Sequence, residues 1–333
     1  MQQVLARFPG ISCAWTDAAG CLHTECHGLA DVEQGIPVTE HTIFPACSMA
    51  KFVTALLVMK LHEQQRINID APVNTALRTW KLRRPDGNEG NATIRHLLCH
   101  TAGVMDGEDG FYGLRWEDAS VSLLDVLEGR TAYNNRPART EKAPGTSFEY
   151  SDAGYCVLQL LVEDATGMSF ADAAKALVFE PLGLENIFFA AREHLADHEA
   201  CLATGYDGNG QPIPGRYPFQ PDLAASALWA SPKAMLTLGR TFVAACRGEN
   251  DFLQQSLAQE IAAPVAAFPW TGLGIFTQSE NRVMSQGWGE NGQCMLKMNL
   301  RTGTVAVVMT NRNPEVDQAE SGVEALVDAL LQR

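Results

Sequence analysis

Strand patterns at both ends of the chain, separated by a long stretch of helical periodicity, constrain the fold more than any other feature. Residues 11–16 and 21–27 are predicted to form a hairpin, because a Gly-containing turn separates two apolar runs. Residues 295–300 and 304–310 repeat this arrangement, and 318–331 follows with apolar residues at helical spacing. We therefore expect an antiparallel sheet built from both chain ends and covered by that last helix.

The interior of the chain indicates a helical region inserted between the two parts of the sheet. It carries helical periods separated by long loops rich in Gly, Pro and Asp, and such loops often build functional sites. The predicted fold class is α+β. Residues 1–45 plus 266–333 form the sheet region, and residues 46–265 form a mainly helical region.

The composition is that of a globular protein and disfavours several kinds of partner. With 46% hydrophobic and 19% charged residues, the 333-residue chain is long enough to bury a large core. A formal net charge of −14 disfavours nucleic acid and anionic membrane surfaces. The sequence shows neither an apolar run of membrane-spanning length nor a secretory leader. Its nine cysteines are scattered without Cys-x-x-Cys pairs, as in a reducing compartment, so we expect a cytoplasmic protein.

A hydroxyl and an amine one helical turn apart mark the candidate catalytic centre. Ser48 and Lys51 begin an apolar run with helical spacing, in which residues i and i+3 share a face. A serine needs a base to take its proton, and a desolvated lysine has a lowered pKa. The motif also fits an N-capping serine beside a solvated lysine. Because Lys51 interrupts an apolar stretch, where an unpaired charge is costly, we favour the catalytic interpretation and treat Cys47 as a packing residue.

A second motif, Tyr150-Ser151-Asp152, lies in a turn that leads into another helix. Together with Ser48-x-x-Lys51 it resembles the Tyr-x-Asn and Ser-x-x-Lys motifs of the class C β-lactamase-like serine hydrolases. That family includes penicillin-binding carboxypeptidases, D-aminopeptidases and esterases. The resemblance covers nearly the whole chain in the family order, and it includes residues 94–103 and 180–184.

The resemblance implies a β-lactamase/transpeptidase-like fold and assigns roles to three residues. Ser48 is the acylated nucleophile, Lys51 shares its proton, and Tyr150 is the partner base that returns the proton to the leaving group. An adjacent ammonium is expected to lower the pKa of Tyr150 from about 10 toward a useful value.

Asp152 departs from the family pattern, which has asparagine at this position. An ionised carboxylate cannot donate a hydrogen bond. It therefore pairs with Lys51, which raises the pKa of that lysine and keeps it charged, caps the following helix, or faces a cationic group on the substrate. We favour the first two roles over substrate recognition.

The third motif also departs from the family pattern. Ser285-Gln286-Gly287 aligns with the Lys-Thr-Gly or His-x-Gly triplet of the family, and a shift by one residue is the alternative register. In the first register the backbone N–H groups of Trp288 and Ser48 form an oxyanion hole. The basic residue that recognises a substrate carboxylate is missing. This favours a small-molecule or peptide-like substrate that is an uncharged ester, amide or lactone, and makes β-lactamase or carboxypeptidase activity doubtful.

Other site chemistries have weaker support in the sequence. An α/β-hydrolase requires a Gly-x-Ser-x-Gly elbow, which does not occur. His96 and His100, or His23 and His27, have the spacing of a ligand pair, but no third ligand accompanies them. We interpret them as structural histidines. Asp106, Glu108 and Asp109 suggest calcium, but they lack the Asp-x-Asp-x-Asp-Gly frame, so we interpret them as solvated charges. We expect neither a metal nor an organic cofactor.

Two questions stay open at the level of sequence. The alternative function is a non-catalytic ligand-binding or scaffolding relative, since two of the three motifs are altered. The joint presence of Ser48, Lys51 and Tyr150 favours an enzyme. Trp229, Trp270 and Trp288 are either pocket residues or core residues.

Overall fold

A computed structural model describes residues 2–108, 110–115, 120–190, 192–279 and 281–333 of the chain. Its largest element is an antiparallel sheet of seven strands. In spatial order the strands are β3 (Ile36–Pro37), β2 (Leu22–Asp31), β1 (Gly10–Thr16), β10 (Val305–Thr310), β9 (Gly292–Asn299), β8 (Arg282–Gly289) and β7 (Phe276–Ser279).

The two ends of the chain meet at the centre of this sheet. Strand β1 pairs with β10 in a register that places Ile11 opposite Thr310 and Trp15 opposite Ala306. Every residue of β1 is buried, because both faces of the sheet are covered. The predicted α+β fold, with a sheet assembled from both chain ends, is confirmed.

Eleven helices are assigned within the described residues. They are α1 (Gln2–Leu5), α2 (Ala50–Glu63), α3 (Ile94–Leu98), α4 (Leu123–Leu127), α5 (Asp152–Thr166), α6 (Phe170–Ala174), α7 (Arg192–His198), α8 (Pro232–Cys246), α9 (Gln255–Ala262), α10 (Gln318–Ser321) and α11 (Val323–Leu331). None of these helices combines the length and apolarity that crossing a membrane requires.

The helices bury both faces of the sheet. On one face α11 packs against β9 and β10, where Val327 and Leu330 join a cluster with Ile11. On the other face α8 packs against β1, β9 and β10 and places Phe242 in the main core. Helix α8 belongs to the interior region of the sequence, so this region contributes to the sheet core. The boundaries 1–45 plus 266–333 and 46–265 stay a prediction.

A second, smaller sheet was not predicted. It contains β4 (Phe44–Cys47), β6 (Leu228–Ala230) and β5 (Ile187–Phe189), in that order. Strand β4 leads through a two-residue turn into α2, which is buried on nearly all sides. A helix that is apolar all round belongs in a core, and this one fixes the position of the turn before it.

The predicted helix over 318–331 is interrupted. Gly322 has a φ of +89°, which ends α10 and precedes α11. A Cβ atom at this position would lie 2.6 Å from the side chain of Val4. Glycine is therefore required both by the backbone conformation and by the close approach of the N-terminal segment.

Candidate active site

The turn between β4 and α2 carries Ser48. Cys47 ends β4 with a φ of +46°, a left-handed conformation that is uncommon for residues other than glycine. Ser48 and Met49 form the turn, and the helix begins at Ala50, so Ser48 lies just before the first helical turn. Its side chain lines a cavity of about 300 Å³.

Lys51 lies in the first turn of α2 and is 3% exposed. Its Nζ donates hydrogen bonds to Ser48 Oγ at 3.1 Å and to the Ala225 carbonyl at 3.0 Å. It also lies 2.5 Å from the Asp152 carboxylate. The two acceptors satisfy N–H groups of the ammonium, and the carboxylate neutralises its charge. The buried charge is therefore paired and hydrogen-bonded.

Tyr150 completes the cluster that the sequence predicted. Lys51 Nζ lies 4.7 Å from the centroid of the tyrosine ring, and the hydroxyl is within hydrogen-bond reach of both Ser48 and Lys51. The ring stacks on the His100 imidazole with 4.4 Å between centroids. His100 Nδ1 accepts a hydrogen bond from the Ser151 N–H at 3.1 Å. His100 therefore contacts both the tyrosine ring and the backbone that follows it.

The cap of α5 differs from the prediction. Ser151 is the N-cap, and its Oγ accepts a hydrogen bond from the Gly154 N–H at 2.9 Å. The Asp106 carboxylate accepts hydrogen bonds from the Ser151 hydroxyl and from the N–H groups of Asp152 and Ala153. Because Ser151 and Asp106 serve the helix N-terminus, Asp152 pairs with Lys51 and does not act as a cap.

Asp106 is thus partly buried against a helix N-terminus and is not a solvated charge. Asp109 lies outside the residues that the structure describes. Burial, together with the negative charge of Asp152, raises the pKa of Asp106 to about 6. No simple sequence signal identified this contact, because 45 residues separate Asp106 from Ser151.

The protonation states of the cluster follow from its charges. Burial disfavours the Lys51 ammonium, but the negative charge of Asp152, joined by that of Tyr150 once the phenol is ionised, outweighs this and raises the pKa of Lys51 above its ordinary value. Desolvation of the Tyr150 hydroxyl raises the pKa of this residue, although its side chain is 41% exposed, and the nearby Lys51 charge only partly offsets the rise. In the resting state Lys51 is therefore an ammonium and Tyr150 a neutral phenol. The expected lowering of the Tyr150 pKa is not found, whereas the raised pKa of Lys51 agrees with the expected pairing of this lysine with Asp152.

Strand β8 forms the opposite wall of the site. Ser285 and Gln286 line a small polar cavity together with Ser48, Lys51 and Tyr150. At Gly287 a Cβ atom would lie 2.4 Å from the Ala46 carbonyl oxygen, so the strand approaches β4 closely there. This contact favours the register Ser285-Gln286-Gly287, which puts glycine where the backbone leaves no room for a side chain.

The backbone of Trp288 faces the cleft. Gly289 and Gly292 close a two-residue turn and form the hydrogen-bonded pair next to it. The following pair, Trp288 and Gln293, is then a non-hydrogen-bonded pair, whose N–H groups point away from each other. The Gln293 N–H instead donates to the Thr310 hydroxyl at 3.0 Å. The Trp288 N–H therefore points away from β9.

The three tryptophans whose place the sequence left open lie in different environments. Trp229 is 2% exposed and packs edge-on against Tyr217 in the core. Trp270 is 49% exposed and packs against Phe268, outside the cavity that Ser48 lines. Trp288 lines this cavity.

The histidines considered as metal ligands have partners within the protein. His23 pairs with Asp17 and His27 with Glu25, each at 2.8 Å. His96 takes part in the capping box of α3. In the described ranges, no group of three or more His, Cys, Asp or Glu side chains has the arrangement of a metal site.

A neighbouring segment that contributes to the site was missed at the sequence level. The Ala225 carbonyl accepts from Lys51, and the preceding turn is held by Asp222, whose carboxylate accepts a hydrogen bond from the Tyr133 hydroxyl at 2.6 Å. Burial, reinforced by the charge of Asp152, raises the pKa of Asp222 to about 7. The contribution of Ala225 is a backbone carbonyl, for which a sequence motif gives no signal.

The residues of the three motifs line two adjacent cavities around Ser48. The sequence model of the family described as Beta-lactamase matches residues 1–330, so the chain belongs to the Beta-lactamase family. The resemblance seen in the motifs is therefore confirmed.

Two curated relatives match part of the chain. It is 34% identical to esterase EstB of Burkholderia gladioli over 196 residues, which are 58% of this chain and 49% of that protein. It is 27% identical to the teichoic acid D-alanine hydrolase of Staphylococcus aureus over 183 residues, which are 55% of this chain and 41% of that protein. The match thus spans less than half the length of either relative.

Solved structures share the fold over nearly the whole chain. The D-amino acid amidase from Ochrobactrum anthropi SV3 has a TM-score of 0.80 at 19% identity, and the alignment covers 99% of this chain and 95% of the amidase. A penicillin binding protein from Bacillus halodurans has a TM-score of 0.74 at 24% identity, with 95% of each chain covered. At these identities the likeness supports the fold and not a particular substrate.

Proposed function

We propose that this protein is a serine hydrolase that forms an acyl-enzyme on Ser48 with ester or amide substrates. The observation that carries the proposal is the contact between Lys51 Nζ and Ser48 Oγ at 3.1 Å, at the edge of an open cavity, with the Tyr150 hydroxyl within reach of both. Family membership supports it, because the curated relatives are named as an esterase and a D-alanine hydrolase. The chemistry proposed requires no metal or organic cofactor.

The charge states of the cluster suggest how Ser48 is activated. A charged Lys51 cannot accept a proton, so we assign the role of base to the phenolate form of Tyr150, which the Lys51 ammonium stabilises. The Ser48 proton passes to the phenolate while Oγ forms a bond to the substrate carbonyl carbon. The bond to the leaving group then breaks as Tyr150 returns the proton to it.

Deacylation uses the same groups in reverse. Tyr150 takes a proton from water, the hydroxide attacks the acyl carbon, and Ser48 departs as its oxygen regains a proton. The negative charge on the carbonyl oxygen is stabilised in both steps by the N–H groups of Ser48 and Trp288. The non-hydrogen-bonded pairing of Trp288 with Gln293 supports this role.

The substrate proposed is uncharged near the reacting carbonyl. Ser285 occupies the position at which the family motif has a basic residue, and no Lys, Arg or His is present among the described residues that line the main cavity. Lys51 lines the smaller cavity beside it and is already paired with Asp152. A substrate carboxylate would find no cation to pair with there. An ester, amide or lactone therefore fits better than a β-lactam or a D-Ala-D-Ala peptide.

The distribution of cysteines supports a cytoplasmic location for this reaction. All nine are free, and Cys13, Cys47, Cys99, Cys156, Cys246 and Cys294 are buried. Buried free thiols suit a reducing compartment. The proposed partner is a small-molecule or peptide-like substrate.

The proposal is tested by the kinetics of p-nitrophenyl acetate hydrolysis, with intact-protein mass recorded during turnover. We expect wild type to release p-nitrophenol and to show an added acetyl group on the peptide that contains Ser48. The Ser48→Ala variant should fold as wild type does and show neither signal. Turnover by Ser48→Ala at the wild-type rate would exclude Ser48 as the nucleophile.

A further inference from the structure

Besides Tyr150 of the catalytic cluster, two exposed aromatic side chains line the cavity next to Ser48. Tyr112 is 56% exposed and Trp288 is 41% exposed. Large aromatic side chains are usually more buried than this, and exposed ones in a cleft often contact a ligand. We propose that Tyr112 and Trp288 form an aromatic clamp that binds a planar aromatic group on a neutral ester or amide substrate. This inference rests on the proposed serine hydrolase function and names its substrate class.

Both the backbone and the side chain of Trp288 are held in place by the protein. Its backbone belongs to β8, and its indole Nε1 donates a hydrogen bond to Asn313 Oδ1 at 2.7 Å. The N–H edge of the ring is thus held by the protein. The rest of this half-exposed ring remains available to pack against a substrate without losing rotamer freedom on binding.

Tyr112 is held by the residues on either side of it. The Phe111 N–H donates to the Tyr133 carbonyl at 2.6 Å, and the two rings meet edge to face with 5.2 Å between centroids. The Gly113 N–H donates to Glu290 Oε1 at 2.7 Å. Anchors at both neighbours restrict the backbone of Tyr112, although its own side chain stays exposed.

Glu290 links the two walls of the clamp. It lies at the tip of the β8–β9 hairpin, two residues after Trp288, and its carboxylate binds both Gly113 and Arg115. The contact with Arg115 Nη2 is 2.9 Å long, and the two side chains are only 20% and 24% exposed. A partly buried ion pair is screened less than a surface pair. Glu290 thus sets the position of Tyr112 relative to Trp288.

The charges at the cavity favour a neutral aromatic ligand. The carboxylates of Asp152 and Glu290 line it, but Lys51 and Arg115 neutralise them. What remains for contact is mostly aromatic and amide surface. An aromatic face gains free energy from contact with a second ring, beyond the gain from the area that is buried. Two such walls therefore favour a flat ring over a saturated ring of similar size.

The test compares esters that differ only in the planarity of one ring. Ethyl phenylacetate is paired with ethyl cyclohexylacetate to examine the acyl side, and benzyl acetate with cyclohexylmethyl acetate to examine the alcohol side. We expect wild type to prefer the phenyl member of one pair about tenfold in kcat/KM, which corresponds to two aromatic contacts. Ethyl acetate, which has no ring, reports the hydrolase activity itself.

The variants separate planarity from bulk. Tyr112→Leu and Trp288→Leu keep an apolar side chain but remove the ring, and each should reduce the phenyl preference toward one. Tyr112→Phe should retain it. Glu290→Gln should weaken it, because the pair with Arg115 is lost. Trp270→Ala removes an exposed tryptophan outside the cavity and should leave the ratio unchanged.

Two results would overturn the clamp. One is a wild-type ratio near one for both ester pairs while ethyl acetate is hydrolysed. The other is an unchanged phenyl preference in both leucine variants. If wild type hydrolyses none of the five esters and forms no acyl adduct, the proposed function itself fails and the clamp fails with it.

Discussion

The Lys51 ammonium and the Asp152 carboxylate lie 2.5 Å apart, next to the Ser48 hydroxyl. This ion pair keeps the lysine charged, so the mechanism that we propose assigns the activation of the serine to the deprotonation of Tyr150. Asp152 therefore tunes the site through charge, in a position where the resemblance implies a neutral asparagine.

We predict that Asp152→Asn shifts the rising limb of the pH profile of kcat/KM to lower pH. The Asp152 carboxylate raises the pKa of Tyr150, because a second negative charge nearby is unfavourable. Removing this charge lowers the pKa of Tyr150, so the active phenolate forms at lower pH. The profile is measured with a neutral ester over the alkaline range.

Glu149→Gln is the matched control for this prediction. It removes the same charge from a carboxylate that pairs with Lys142, away from the Lys51 ammonium. Its pH profile should coincide with that of wild type. An unshifted profile in Asp152→Asn would show that the titration of Tyr150 does not limit the reaction.

We predict that Lys51→Met reduces kcat/KM by roughly 10²–10⁴-fold, the range of general acid–base catalysis, because the Tyr150 phenolate loses the ammonium that stabilises it. It should also destabilise the fold by about 3–5 kcal/mol, because Asp152 is left without its cation in a site that is only 18% exposed. Urea unfolding measures the second effect and ester hydrolysis the first.

The double variant Lys51→Met/Asp152→Asn separates the two effects. It removes both charges, so we expect much of the lost stability to return while the activity stays low. Recovery of activity along with stability would mean that Lys51 acts only through folding.

We predict that Gly287→Ala lowers both activity and thermal stability. Its Cβ atom would lie 2.4 Å from the Ala46 carbonyl, so β8 has to move away from the segment that carries Ser48. Gly154→Ala is the control. Gly154 lies in α5, and a Cβ atom there would meet only ordinary contacts of 3.5 Å or more. An active and stable Gly287→Ala variant would argue against close packing of β8 at the site.

The sequence predicted the parts of the site that depend on local spacing. Ser48 and Lys51 share a helical face by their i, i+3 relation, and the structure places Nζ against Oγ. The motif around Tyr150 gave the third member, and the pairing of Asp152 with Lys51 was among the roles considered. Their catalytic roles stay a prediction until they are measured.

What the sequence missed depends on contacts between distant segments. The raised pKa of Tyr150 results mainly from the desolvation of its hydroxyl, which only the folded structure shows. The cap of α5 passed from Asp152 to Ser151 because Asp106 approaches from another loop. The break at Gly322 and the short strands β4, β5 and β6 lacked a strong periodic pattern.

The most direct test of an activated serine is the intact mass of the protein after incubation with a fluorophosphonate, for wild type and for Ser48→Ala. We predict a single phosphonyl adduct on wild type and none on the variant, because only an activated serine displaces the fluoride. Well-folded wild type that forms no adduct would contradict the account and favour a non-catalytic, ligand-binding relative.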